Sequence, residues 1–296
     1  MFSFCSLPRL SKFWNSGLSL VLVLGVGTAV CQAEAPAARV VPGMAYREPA
    51  SPADAYAAEK CQLDLYVPAQ AGGFPTIVWF HGGGLTQGKR SIPNALKNHG
   101  VAIAAASYRL SPKVDVRTCL DDAAAAVAWV RKHIAEYGGN PDQVIISGHS
   151  AGGFLSAMLA LDPTYLGKYG LHSDDFLGVA PFSTQTITHF TARAEENFPV
   201  MQPVINELSP LFHVQNPCPP MLLITGDREL EMVGRYEENA YLWRMLKLTG
   251  HTDVTLYELD GYNHGGMAEP GFPLLLKFVQ RLVKSSHPAA APGADR

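Results

Sequence analysis

Several features are missing from this 296-residue chain, and each absence excludes a class of function. The apolar run at residues 17–30, GLSLVLVLGVGTAV, falls short of the roughly 20 residues a helix needs to cross a bilayer, so stable membrane insertion is not expected. Charged residues make up only 17% of the composition, the formal charge is −3, and no run of Lys or Arg offers a surface for phosphates. Nucleic acid is therefore not an expected partner. Cysteines number five, in no metal-ligand spacing, and H-E-x-x-H does not occur, so no metal site is expected. There is no internal repeat and no long linker.

What is present begins with a pattern for export. Arg9 and Lys12 precede the apolar run, which gives way to small residues in CQAEAPAA, the layout of a secretory signal peptide over residues 1–33. An exported protein, periplasmic or secreted, is the expectation. A lipid anchor at Cys31 is disfavoured because the bulky Val30 precedes it. Loss of residues 1–33 removes two basic residues and no acid, which lowers the formal charge from −3 to −5. It also leaves Cys61, Cys119 and Cys218, an odd set with room for one disulfide and no assignable pairing.

With 47% hydrophobic residues the remainder can bury a sizeable core. Strand-like runs CQLDLYV, PTIVWF, VAIAAASY, QVIISG, FLGVAPF, MLLIT and VTLYEL alternate with helix-like segments such as CLDDAAAAVAWVRKHIAEY and FPLLLKFVQRLVK. This alternation predicts an α/β domain over residues 34–284, a mainly parallel central sheet with helices on both faces. Residues 163–210 are weakly patterned and are expected to form a loop or small cap insertion. Residues 285–296, SSHPAAAPGADR, read as a disordered tail.

The strongest chemical signal is Gly148, Ser150 and Gly152 in QVIISGHSAGG, a G-x-S-x-G pattern between a strand and a helix. A serine nucleophile must be held exposed on a tight turn beside a base, and small neighbours make that turn sterically feasible. Ala151, at the start of the following helix, offers a free backbone N–H to developing negative charge. Taken alone, GHSAGG also fits a plain glycine-rich turn with a capping serine. Upstream, PTIVWFHGGG places Gly83 and Gly84 directly after another strand, where their amides suit an oxyanion hole worth roughly 3 kcal/mol per donor. Residues 83–89 also match half of a P-loop, but Arg90 stands where Ser or Thr would hold magnesium.

A base is sought in DGYNHGGM after the last strand, which points to His264; His81 and His149 are expected to shape their loops by hydrogen bonding. After MLLIT, the stretch GDRELE sets Asp227 and Glu229 on either side of Arg228. Acids at the end of a buried strand usually belong to a solvated turn.

The ordered set HGGG, GHSAGG, GDRE and YNH resembles the α/β-hydrolase superfamily, specifically its HGGG-containing esterase and lipase branch and its compact feruloyl-esterase-like and acetyl-esterase-like carboxylesterases. LDLYVP, ASYRLSP and SPLFHV add to the likeness, which covers about residues 61–283. The resemblance implies an α/β-hydrolase fold and hydrolysis of a small-molecule carboxylic ester through an acyl-enzyme, without cofactor. It implies Ser150 as nucleophile, His264 as base, a carboxylate orienting His264, and Gly83, Gly84 and Ala151 as oxyanion donors. Its spacing favours Glu229 as that acid, with Asp227 as the alternative and Arg228 a structural or surface residue. Two rival readings stand beside it: an amidase or arylformamidase with the same triad, and a binding module that keeps the fold without catalysis. Absence of a long apolar lid helix favours short-acyl or aryl esters. Phe190, Phe198, Met201 and Phe212 are candidates for an acyl pocket, although such residues more often close a core.

Overall fold

The computed structural model describes residues 37–48, 54–215 and 217–286. Eight strands, β1 (Arg39–Ala45), β2 (Gln62–Val67), β3 (Phe74–Phe80), β4 (Ala102–Ala106), β5 (Gly139–His149), β6 (Gly178–Phe182), β7 (Met221–Gly226) and β8 (Val254–Leu259), form one sheet. Its order is β1-β2-β4-β3-β5-β6-β7-β8, with β2 antiparallel to both neighbours and every pairing from β4 to β8 parallel.

Among the described residues seven α-helices accompany it: α1 (Ala55–Lys60), α2 (Val116–His133), α3 (Ala151–Leu161), α4 (Pro163–Gly167), α5 (Phe190–Glu195), α6 (Arg235–Leu248) and α7 (Ala268–Ser286). Helix α2 starts where the Asp115 carboxylate accepts the Thr118 N–H and ends in Arg131, Lys132 and His133, which complement the helix dipole.

Successive strand residues point to opposite faces, and this period of two sorts the apolar residues into two cores. Val78, Phe80, Ala104 and Ile146 pack with α2, α3 and α6. Ile77, Trp79, Ile103, Ile145 and Phe182 pack with α7 through Leu275 and Val279. Both faces of the parallel strands are covered, which is why they read as continuous apolar runs.

The parallel strands deliver their C-terminal ends to one edge of the sheet, the usual place for a site in such folds. The HGGG loop follows β3, Ser150 follows β5, Ser183 follows β6, GDRELE closes β7 and opens its exit turn, and His264 lies in the loop after β8.

Two expectations change. The insertion expected over residues 163–210 contains α4 and β6, both part of the body; the irregular excursion runs instead from residue 183 to β7 and carries α5. A disordered tail from 285 is also revised, since Ser285 and Ser286 close α7 and the Ser285 hydroxyl donates to the Arg281 carbonyl. The expected signal peptide over residues 1–33 and residues 287–296 lie outside the described residues. Cys61, Cys119 and Cys218, whose pairing the sequence leaves open, are free thiols.

Candidate active site

Ser150 occupies the turn between β5 and α3 with φ +57° and ψ −113°, a backbone conformation that side-chain-bearing residues rarely adopt. Its N–H is tied to the Phe182 carbonyl at 2.8 Å, which fixes the turn on the neighbouring strand. The flanking glycines are required by contact: a Cβ on Gly152 would lie 2.1 Å from the Phe80 carbonyl oxygen, and one on Gly148 2.6 Å from Gly152 backbone.

His264 Nε2 lies 2.9 Å from Ser150 Oγ, and its Nδ1 lies 2.8 Å from Glu231 Oε2. An ionised carboxylate is acceptor-only, so Nδ1 carries the proton and Nε2 is left to accept from the serine hydroxyl. The Glu231 side chain is 1% exposed. Burial alone would raise its pKa, but hydrogen bonds from His264, the Gly226 amide and Ser183 outweigh it and hold the carboxyl down at about 2.

The structure therefore corrects the acid expected from spacing. Glu229 is exposed, and its backbone N–H donates to Asp227 Oδ1 at 2.8 Å. Asp227 accepts that amide and the Gly261 amide at 2.7 Å, so it pins the exit of β7 to the loop that leads to His264. Residues 227–231 form a helical turn in which Glu231 N–H donates to the Asp227 carbonyl at 2.8 Å, and one such turn brings Glu231 back over the strand end. There its Oε1 accepts the Gly226 amide at 2.9 Å. Arg228 pairs with Glu258 on the surface.

Ser183 was not foreseen. Its hydroxyl lies 2.8 Å from His264 Nδ1, its N–H donates to the Ile224 carbonyl at 2.7 Å, and its backbone has φ +43°. The available signal was positional: the polar run STQT directly follows β6, at the edge where the other site residues emerge.

His149 Nε2 donates to the His264 carbonyl at 2.7 Å, which anchors the loop of His264 to the turn that carries Ser150. Burial, with repulsion from His264, lowers the His149 pKa to about 4, so it stays neutral beside His264. His81 Nδ1 donates to the Gly82 carbonyl at 2.7 Å and its ring stacks on Tyr108 at 4.5 Å. The HGGG loop lies against Ser150, because a Cβ on Gly82 would come within 3.3 Å of Ser150 Cβ. Within the described residues, the amides of Gly83, Gly84 and Ala151 donate no hydrogen bond, while the Gly83 carbonyl accepts from Thr86 and Gln87 and the Gly84 carbonyl from Thr191.

Of the acyl-pocket candidates, Phe190 and Met201 line a cavity of about 430 Å³. Phe198 is half-buried and Phe212 is 56% exposed, so the expected core role does not apply to these four.

A family model, BD-FAE, matches residues 63–236, more than half of the chain. The chain belongs to the BD-FAE family. This stretch of BD-FAE sequence holds Ser150, Ser183 and Glu231, while His264 lies beyond it. The chain is 31% identical over 249 residues to a probable carboxylic ester hydrolase, LipM, of Mycobacterium tuberculosis, covering 74% of this chain and 57% of the relative. It is 28% identical over 218 residues to the esterase LipQ of the same organism, covering 64% of this chain and 50% of the relative. The chain thus spans about half the length of these two curated relatives.

Among solved structures, a truncated carbohydrate esterase from gut microbiota superposes with TM-score 0.68 at 19% identity, covering 84% of this chain and 98% of that one. A propionate-bound thermophilic esterase from the Planctomycetes species Thermogutta terrifontis superposes with TM-score 0.62 at 24% identity, covering 88% and 98%. The BD-FAE chain has the α/β-hydrolase fold.

Proposed function

We propose that this protein hydrolyses carboxylic esters, short-acyl or aryl, with Ser150 as nucleophile, His264 as base and acid, and Glu231 as the orienting carboxylate. The observation that carries this reading is the continuous line from Ser150 Oγ through His264 to a buried, ionised Glu231. The relatives' names support ester hydrolysis as the reaction class.

As Ser150 Oγ bonds to the ester carbonyl carbon, its proton passes to His264 Nε2, and the carbonyl electron pair moves to oxygen. Gly83, Gly84 and Ala151 supply the amides for that oxyanion. Collapse breaks the bond to the alcohol, which leaves with the proton from His264. Water then attacks the acyl-enzyme, giving up its proton to His264, and the acid departs as Ser150 regains its hydrogen. Glu231 keeps Nδ1 protonated and stabilises the imidazolium formed in each half-reaction. The N-terminal export pattern supports an exported enzyme.

Turnover of a p-nitrophenyl short-acyl ester tests this reading. Ser150→Ala should lose it, and labelling by a fluorophosphonate with it, while the melting temperature is retained; persistent turnover would overturn the assignment.

A further inference from the structure

The cavity of about 430 Å³ comes close to the HGGG loop through Phe190, and none of Ser150, His264 and Glu231 lines it. Phe190, on one wall, packs its ring against Gly84, close enough that a Cβ there would lie 3.0 Å away. Met232 and Val233, also in the lining, directly follow Glu231 in the chain. The lining is mainly apolar, and only Arg193 and Glu238 bring charge to it.

Those two charges differ in their surroundings. Glu238 Oε2 accepts the amides of Thr186 and Ile187 at 2.8 and 3.3 Å and is attracted to the buried Arg235. Arg235 in turn is attracted to Glu238 and Glu231 and donates to the Ser183 carbonyl. Arg193 is 5% exposed, is attracted to Glu238 in the same lining, gives Nη1 to the Gln202 carbonyl, leaves Nε with no hydrogen-bond partner, and forms no ion pair within 4 Å among the described residues. His189, whose Nδ1 accepts the Thr191 amide, is kept neutral by burial and by the charges of Arg235 and Arg193, so it offers Arg193 no counter-charge.

An arginine stays protonated, and a buried guanidinium with unfilled donors is costly unless something supplies an acceptor. Carboxylates fit its planar fork of N–H groups best. We propose that Arg193 is a specificity residue: the arm of the ester substrate that enters this cavity is an apolar chain or ring ending in a carboxylate, which the Arg193 guanidinium binds. This inference rests on the ester-hydrolase reading above.

Two matched pairs of esters test it with the full chain. One compares an aryl hexanoate with the mono-aryl ester of hexanedioic acid, and places the carboxylate on the acyl arm. The other compares the acetates of 4-methylphenol and of 4-hydroxybenzoate, and places it on the leaving arm. In one pair the carboxylate member should show a kcat/KM about tenfold or more above its neutral partner, mainly through KM. Arg193→Gln should bring that ratio to near one, and Arg193→Lys should restore part of it. Neutral members preferred in both pairs would overturn the proposal, and so would an Arg193→Gln effect shared equally by both members, the mark of a packing role. Should Arg193→Gln fail to fold, the wild-type ratios and Arg193→Lys decide. Turnover of neutral esters without a preference defeats only this inference, whereas no turnover of any of the four defeats the ester-hydrolase reading as well.

Discussion

Glu231 Oε2 sits 2.8 Å from His264 Nδ1, although Glu231 lies five residues beyond the glycine that ends β7, where spacing had pointed to the first or third. The helical turn through Asp227 accounts for the difference. It makes Asp227 a fastener of the loop and Glu231 the partner of His264.

Side-by-side substitutions separate the three acids. Glu231→Gln should lower kcat on a p-nitrophenyl ester by about 10³ to 10⁴-fold, the scale set by loss of an orienting carboxylate. Glu229→Gln should change it by less than about twofold, because that side chain is exposed. Asp227→Asn should fall between, through displacement of the loop it fastens. Steady-state kinetics at neutral pH decide.

Ser183→Ala should reduce kcat about tenfold with KM within about twofold, as expected of a residue that positions His264 without touching substrate. Equal changes in kcat and binding would instead place Ser183 in the substrate pocket.

Acid should reduce stability in two stages. His149 is held at about 4 in the folded protein, below the ordinary histidine value of about 6.5, so its contribution is complete above 6.5 and is lost as pH falls toward 4. Glu231, at about 2 against an ordinary value of about 4.3, contributes fully above 4.3 and loses that contribution as pH falls toward 2. Each shift corresponds to roughly 3 kcal/mol at most. Denaturant melts should show His149→Gln flattening the first stage and Glu231→Gln the second.

Gly226→Ala should destabilise the fold by about 1–3 kcal/mol and depress activity together, because the added Cβ would stand 2.4 Å from the Tyr262 carbonyl and 3.1 Å from Glu231 Oε1. Chemical denaturation and kinetics on the same sample measure both effects.

Which features the amino-acid order determined on its own follows from their range. The alternation of apolar strands and helices specified the parallel sheet, since a strand buried on both faces needs a continuous apolar run wherever it sits. The place of Ser150 was legible because its turn is local: strand, small residues and helix lie within one short stretch. His264 was legible because it stands among small residues just after the last strand. Tertiary structure decided the rest. Glu231, Ser183 and His264 come from three different strand ends, 33 and 81 residues apart from the base, and only the sheet order β5-β6-β7-β8 brings those ends together. Arg193 likewise has no local sign of lacking a close ion pair; that depends on how far the fold holds it from Glu238 and other carboxylates, a matter of distances that residue spacing does not carry.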